Sequence, residues 1–128
     1  AGVPLGNEQT VEGTSIVPLL HDNGNLSRTD LFWHYPHYHP GGATPYSAVR
    51  SGDFKLIQFY EDGALELYDL KNDPSETRNL AEQLPAKVQE LLRKLEAWRI
   101  KTGAQSPMPN PNHDPEKDAQ ARNRRNQK

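Results

Sequence analysis

The chain contains no cysteine, so it can hold neither a disulfide framework nor a thiolate zinc site. No apolar run approaches the roughly 20 residues that a membrane-crossing helix needs. An excess of one charge is missing too: 15 basic and 17 acidic residues are interspersed and leave a formal net charge of −2. No global field follows that would draw in nucleic acid or an acidic membrane surface, so neither is expected as a partner. Hydrophobic residues are scarce, at 34% of 128, while 11 prolines and 9 glycines punctuate the chain. That composition suits a folded middle flanked by two weakly structured ends. The opening Ala1-Gly2-Val3-Pro4-Leu5 has no initiating methionine, basic leader or apolar leader segment. It does not read as a signal peptide, and a fragment or processed start is expected.

Catalytic signatures are also missing. There is no Gly-rich phosphate loop, no G-x-S-x-G elbow and no H-E-x-x-H pair. No serine or threonine stands beside a histidine in a recognisable nucleophile–base pattern. The residues therefore predict no catalytic group and no metal ligand set within this chain.

What is there begins weakly. Residues 1–30 offer only Ser15-Ile16-Val17-Pro18-Leu19-Leu20 as an apolar stretch, which fits one helical turn or a buried connection. Residues 46–70 predict a β-meander. Tyr46 to Arg50 is one strand, Ser51-Gly52-Asp53 a tight turn, and Phe54 to Tyr60 a second strand rich in β-branched and aromatic residues. Asp62-Gly63 suits a turn needing positive φ. Ala64 to Leu70 then returns, with Leu65 and Leu67 on one face and Glu66 and Tyr68 on the other.

The buried face of that sheet needs a cover, and the next segment supplies it. From Pro85, apolar residues fall at Val88, Leu91, Leu92, Leu95 and Trp98, the stripe of an amphipathic helix. Pro85 suits the first turn, and Gly103 suits a left-handed stop preceded by the basic Arg99 and Lys101. Between sheet and helix, Asp73, Glu76 and Asn79 resemble a carboxylate cluster, but they stand where turn and cap chemistry is expected. Beyond Gly103 come Pro107, Pro109 and Pro111, then a polar tail from His113 with five basic and three acidic residues. A disordered or solvated arm is expected there.

The densest chemistry lies in Phe32-Trp33-His34-Tyr35-Pro36-His37-Tyr38-His39-Pro40. Three readings stand. The histidines could ligate a metal; they could bond to backbone inside a buried aromatic segment; or the stretch could be a Pro-punctuated loop facing a ligand. Pro36 and Pro40 keep it from running on as a helix, which weakens a metal site. Arg50 and Lys55 bracket the first hairpin. An arginine there could grip a sulfate or carboxylate in a bidentate fork, although the solvated side of a sheet is the plainer account.

These residues resemble the type I, formylglycine-dependent sulfatases of the alkaline phosphatase superfamily. Ala1-Gly2-Val3-Pro4 followed by Glu12-Gly13-Thr14-Ser15-Ile16-Val17-Pro18-Leu19-Leu20 is similar to the end of their catalytic domain, with Glu12 where the family usually has Asp. Arg28, the run from Leu31 to Tyr38, Tyr46 to Ile57, and Leu67-Tyr68-Asp69-Leu70 with Asp73-Pro74-Ser75-Glu76 and Asn79-Leu80 follow the family's order and spacing. The resemblance covers about residues 1–112.

The resemblance implies an α+β unit. A small antiparallel meander packs on a C-terminal amphipathic helix, after the tail end of an α/β sulfatase domain. Residues 1–40 would close that incomplete catalytic domain, 41–112 would form the C-terminal subdomain, and 113–128 the disordered polar tail. It also implies sulfate-ester hydrolysis by a formylglycine hydrate, with calcium polarising the sulfate. Both groups would be held by residues upstream, so this segment alone is expected to be inactive.

What the segment would give is stability and pocket-rim side chains, with His34, His37 and Arg50 as substrate-contacting candidates. The implied partners are the missing N-terminal catalytic domain and a sulfated small molecule or glycan. Family habit implies a periplasmic or secreted protein. The alternative is a non-catalytic binding module for sulfated or acidic glycans.

Overall fold

Two glycines set the hairpins that organise the middle of the chain. Gly52 (φ 59°) and Gly63 (φ 72°) both sit in the left-handed region, which costs a glycine nothing because it has no Cβ. In the computed structural model, which describes residues 13–20, 24, 26–108, 110–112 and 114, the elements are α1 (Val17–Leu20), β1 (Asp30–Tyr35), β2 (Tyr46–Ser51), β3 (Phe54–Phe59), β4 (Leu65–Asp69) and α2 (Pro85–Thr102). The strands pair in sequence order as one antiparallel sheet.

The expected three-stranded ribbon is corrected to four strands. Asp30–Tyr35 joins as an edge strand, in register from Asp30 opposite Ser51 to Tyr35 opposite Tyr46. Pro36 ends that strand instead of placing the whole aromatic run in a loop. The sheet therefore draws its first strand from ahead of residue 41.

Successive side chains point to opposite faces of a strand, and here one face belongs to α2. Val49, Leu56 and Leu67 form a cross-strand row that packs with Val88, Leu91 and Leu95 into a single core. Burying each such side chain contributes about 1.5–3 kcal/mol. Phe32 and Trp98 extend the core, their rings stacked at 5.1 Å between centroids. Pro85 opens α2, and Gly103 (φ 64°) closes it, with the Gly103 and Ala104 N–H groups donating to Ile100 and Arg99 carbonyls.

The link between sheet and helix is tied down by side chains. The Asp73 carboxylate accepts from the Thr77 and Arg78 N–H groups, both at 2.8 Å. Asn79 Oδ1 accepts from the N–H groups of Leu67 and Ala81, and its Nδ2 donates to Leu65 O. Glu76 departs from the expected turn role. Its φ of 54° is left-handed for a residue with a Cβ, and its carboxylate accepts two bonds from Lys55 Nζ, at 2.7 and 2.8 Å.

The short helix α1 keeps its apolar side chains outside, with Ile16, Val17, Leu19 and Leu20 all more than half exposed. Among the described residues, no helix is long and apolar enough to cross a membrane. The expected solvated tail lies outside the described residues, Asp114 apart.

Candidate functional site: a groove on the open face of the sheet

The face turned away from α2 is built from three cross-strand rows. Leu31, Arg50, Lys55 and Tyr68 form one, Trp33, Ala48, Ile57 and Glu66 the next, and Tyr35, Tyr46 and Phe59 the last. Ala48 is the small member of the central row. Its methyl, between the larger Trp33 and Ile57, leaves the floor of a groove of about 460 Å³. Leu70 and Glu76 wall one side, and Gly42, Ala43 and Thr44 line it from the β1–β2 connection. Tyr46 lies between Tyr35 and Phe59 at ring separations of 6.0 and 6.4 Å, which makes that end of the groove aromatic.

Two cations stand opposite each other at the other end, since Arg50 pairs in register with Lys55. Like charges in that arrangement are destabilising, and Glu76 offsets one of them by taking Lys55 as an ion pair. Arg50 is exposed and spends only its Nε, on Gly52 O at 3.4 Å. Its terminal nitrogens meet no partner among the described residues. On the same face, burial and then the Glu66 carboxylate, which accepts the Tyr68 hydroxyl at 3.0 Å, push that phenol up to about 12.

The three site residues expected from sequence are not brought together. His34 points to the α2 side, where its Nδ1 lies 2.8 Å from Ser47 Oγ and 2.9 Å from Tyr60 OH. Its Nε2 donates to Gln105 O at 2.8 Å, so in the neutral ring Nδ1 accepts from a hydroxyl. Arg99 Nη1 donates to Tyr60 OH at 3.1 Å and joins the same network. His37 lies exposed just past β1, edge-on to Tyr35 at 5.7 Å. Arg50 is on the opposite face of the sheet from His34.

The Ser47–His34 contact was not visible as a pattern in the sequence. Antiparallel register creates it, because residues 13 apart become directly opposite. It resembles a nucleophile beside a base, but Ser47 is 0% exposed, and no ester can reach a hydroxyl sealed beneath the sheet. The pair holds structure together.

The described residues do not fit the calcium that the sulfatase resemblance implies. Among them, no group of three histidine or carboxylate side chains converges to hold a metal. Five carboxylates are engaged singly instead: Asp30 with Lys94, Glu76 with Lys55, Glu90 with Lys87, and Asp69 and Asp73 with their own turns. No step of the chemistry is routed through a metal here.

Comparison with known proteins places this architecture. Residues 1–102 match the family model for the C-terminal part of N-sulphoglucosamine sulphohydrolase. A sulfatase of Formosa agariphila is 34% identical over 116 residues, covering 81% of this chain and 21% of that protein. An N-acetylglucosamine-6-O-sulfatase of Bacteroides thetaiotaomicron is 33% identical over 103 residues, covering 75% and 18%. A solved structure, a complex with its substrate D-glucosamine-2-N,6-O-disulfate, superimposes with a TM-score of 0.65 at 30% identity, covering 83% of this chain and 22% of that one. The chain spans about a fifth of the length of the curated relatives it matches. With its four-stranded sheet under one helix and the match running through both, the chain belongs to the sulfatases, in the N-sulphoglucosamine sulphohydrolase C-terminal family.

Proposed function

We propose that this chain is the C-terminal part of a sulfuric ester hydrolase, which it stabilises and supplies with side chains at the rim of the substrate pocket. The nucleophile and the metal belong to the rest of the enzyme. The observation that carries this reading is a division of labour within the described residues. Asp30, Asp73, Glu76, Ser47 and His34 are committed to internal bonds, while one face of the sheet presents a groove lined by Arg50, whose terminal guanidinium nitrogens have no partner among the described residues. A segment that carried the chemistry would need its reactive groups accessible and converging.

Sulfated saccharides are the proposed substrate class, in keeping with relatives that act on N-acetylglucosamine 6-O-sulfate esters and bind a glucosamine disulfate. Arg50 and His37 are the proposed substrate contacts, and the proposed role of His34 is to hold Ser47, Tyr60 and Gln105 in position. The exposed Ile16, Val17, Leu19 and Leu20 are the proposed seat for the catalytic part, because contiguous apolar surface of this kind favours burial against a partner.

The test compares p-nitrophenyl sulfate turnover by this chain alone and by the longer polypeptide that spans the relatives' length. The chain alone is expected to be inactive and the longer polypeptide active. Turnover by the purified chain alone overturns the proposal, and an inactive longer polypeptide that still binds sulfated sugars supports a non-catalytic glycan-binding module instead.

A further inference from the structure

The groove has features that a merely open sheet face would not need. Its central row steps down from Trp33 to the methyl of Ala48 and up again to Ile57. Trp33 stands 44% exposed beside that step with its indole available on the open face. The volume of about 460 Å³ falls within the roughly 300–1,000 Å³ of small-molecule sites.

Charge at the Arg50 end is arranged with some care. Glu76 adopts a left-handed backbone that its side chain disfavours, and from there its carboxylate takes both bonds from Lys55. Lys55 is thereby neutralised. Arg50 is left as the uncompensated cation of the lining, with its planar fork open for bidentate contact with an anion's oxygens.

We infer that this groove receives a saccharide ring of the sulfate ester, its apolar face on Trp33 and its anionic substituent in the fork of Arg50; the inference rests on the sulfatase reading above. The two residues divide the recognition. Trp33 binds the ring whatever its substituents, and Arg50 selects for the charge. Glu76 contributes as a positioning residue, because without it the Lys55 ammonium would compete for the same anion.

The probe is a glucosamine carrying a sulfonate in place of the sulfate ester, whose C–S bond an ester hydrolase cannot cut. Its affinity for the full-length enzyme is measured by calorimetry, beside that of unsubstituted glucosamine, and each variant's melting temperature is recorded. Arg50→Ala is expected to weaken the sulfonate about tenfold or more while leaving unsubstituted glucosamine within about twofold. Arg50→Lys should fall between the two. Trp33→Ala should weaken both sugars by a similar factor, with Trp33→Phe recovering most of the loss.

Unchanged affinities in Arg50→Ala and Trp33→Ala overturn the inference. So does a fall in melting temperature with affinity intact, which assigns this face to packing against another part of the polypeptide. Binding of the sulfonate is read whether or not sulfate esters are turned over, so an inactive enzyme counts against the sulfatase reading and not against the groove.

Discussion

Lys94 reaches from the C-terminal helix to the first strand: its Nζ lies 3.1 Å from each carboxylate oxygen of Asp30 and 2.8 Å from Ser51 Oγ. The pair fastens α2 to the start of β1 across 64 residues of sequence. β1 is an edge strand with a neighbour on one side only, so this contact adds to the Phe32–Trp98 stack in holding it to the helix. Partial burial pushes the Asp30 carboxyl up, but hydrogen bonds from Ser51 and Lys94 outweigh it and hold the group below its ordinary value.

Acid should therefore loosen the domain at a defined point. Hydrogen bonds from Asn72 lower Asp69, and the Arg78 and Thr77 N–H groups lower Asp73, in the same direction as Asp30. A carboxyl with a depressed folded-state pKa stabilises the fold above its unfolded value of about 3.9, and that contribution is lost as pH falls below it. Urea midpoints are expected to hold between pH 5 and 7 and to drop below about pH 4. Asp30→Asn should cost about 0.5–1 kcal/mol at neutral pH, as partly exposed pairs do, and should flatten part of that acid slope. A slope unchanged by the substitution would remove Asp30 from the account.

Leu91 is fully buried at the centre of the helix–sheet contact, facing the row of Val49, Leu56 and Leu67. Leu91→Ala is expected to lower unfolding free energy by about 2–5 kcal/mol, since the surrounding side chains collapse only partly into the space left. For so small a core that is a large share of the total stability. Ile100, exposed on the same helix, supplies the contrast: Ile100→Ala should stay within about 0.5 kcal/mol. Equal effects at the two positions would contradict the described packing.

Asn79 satisfies three backbone groups at once, two on β4 and one at Ala81. Asn79→Ala should cost about 1–3 kcal/mol, because the β4 groups lose their partner at a sheet edge partly closed to water. Asn79→Asp keeps the acceptor oxygen and loses the donor to Leu65 O, so it should cost less. Native-state hydrogen exchange at the Leu67 amide reads the change directly: it should accelerate in Asn79→Ala and change little in Asn79→Asp.

These contacts show which parts of the molecule were legible as sequence. Local signals carried far. The stripe from Val88 to Trp98, the stop at Gly103 and the turns at Gly52 and Gly63 each record a backbone requirement within a few residues, and all appear as read. β1 did not, because Leu31, Trp33 and Tyr35 on its open face are as apolar as Phe32 on its core face. Without alternation, and with Pro36 and Pro40 close by, the sequence leaves a buried segment and a loop equally open and does not single out a strand. The groove was hidden for a different reason. Trp33, Ala48 and Ile57 are adjacent only through two strand registers, and the same registers join His34 to Ser47. Glu76 reads as a turn residue because its partner, Lys55, lies 21 residues away.

The left-handed residue at Gly103 reverses the chain, so that the backbone leaving α2 returns to the sheet and gives its Gln105 carbonyl to His34. A recombinant boundary drawn at Thr102, where the helix ends, would therefore cut inside the cooperative unit. The imidazole would lose its acceptor, and with it the anchor that fixes the hydroxyls of Ser47 and Tyr60 beneath the sheet.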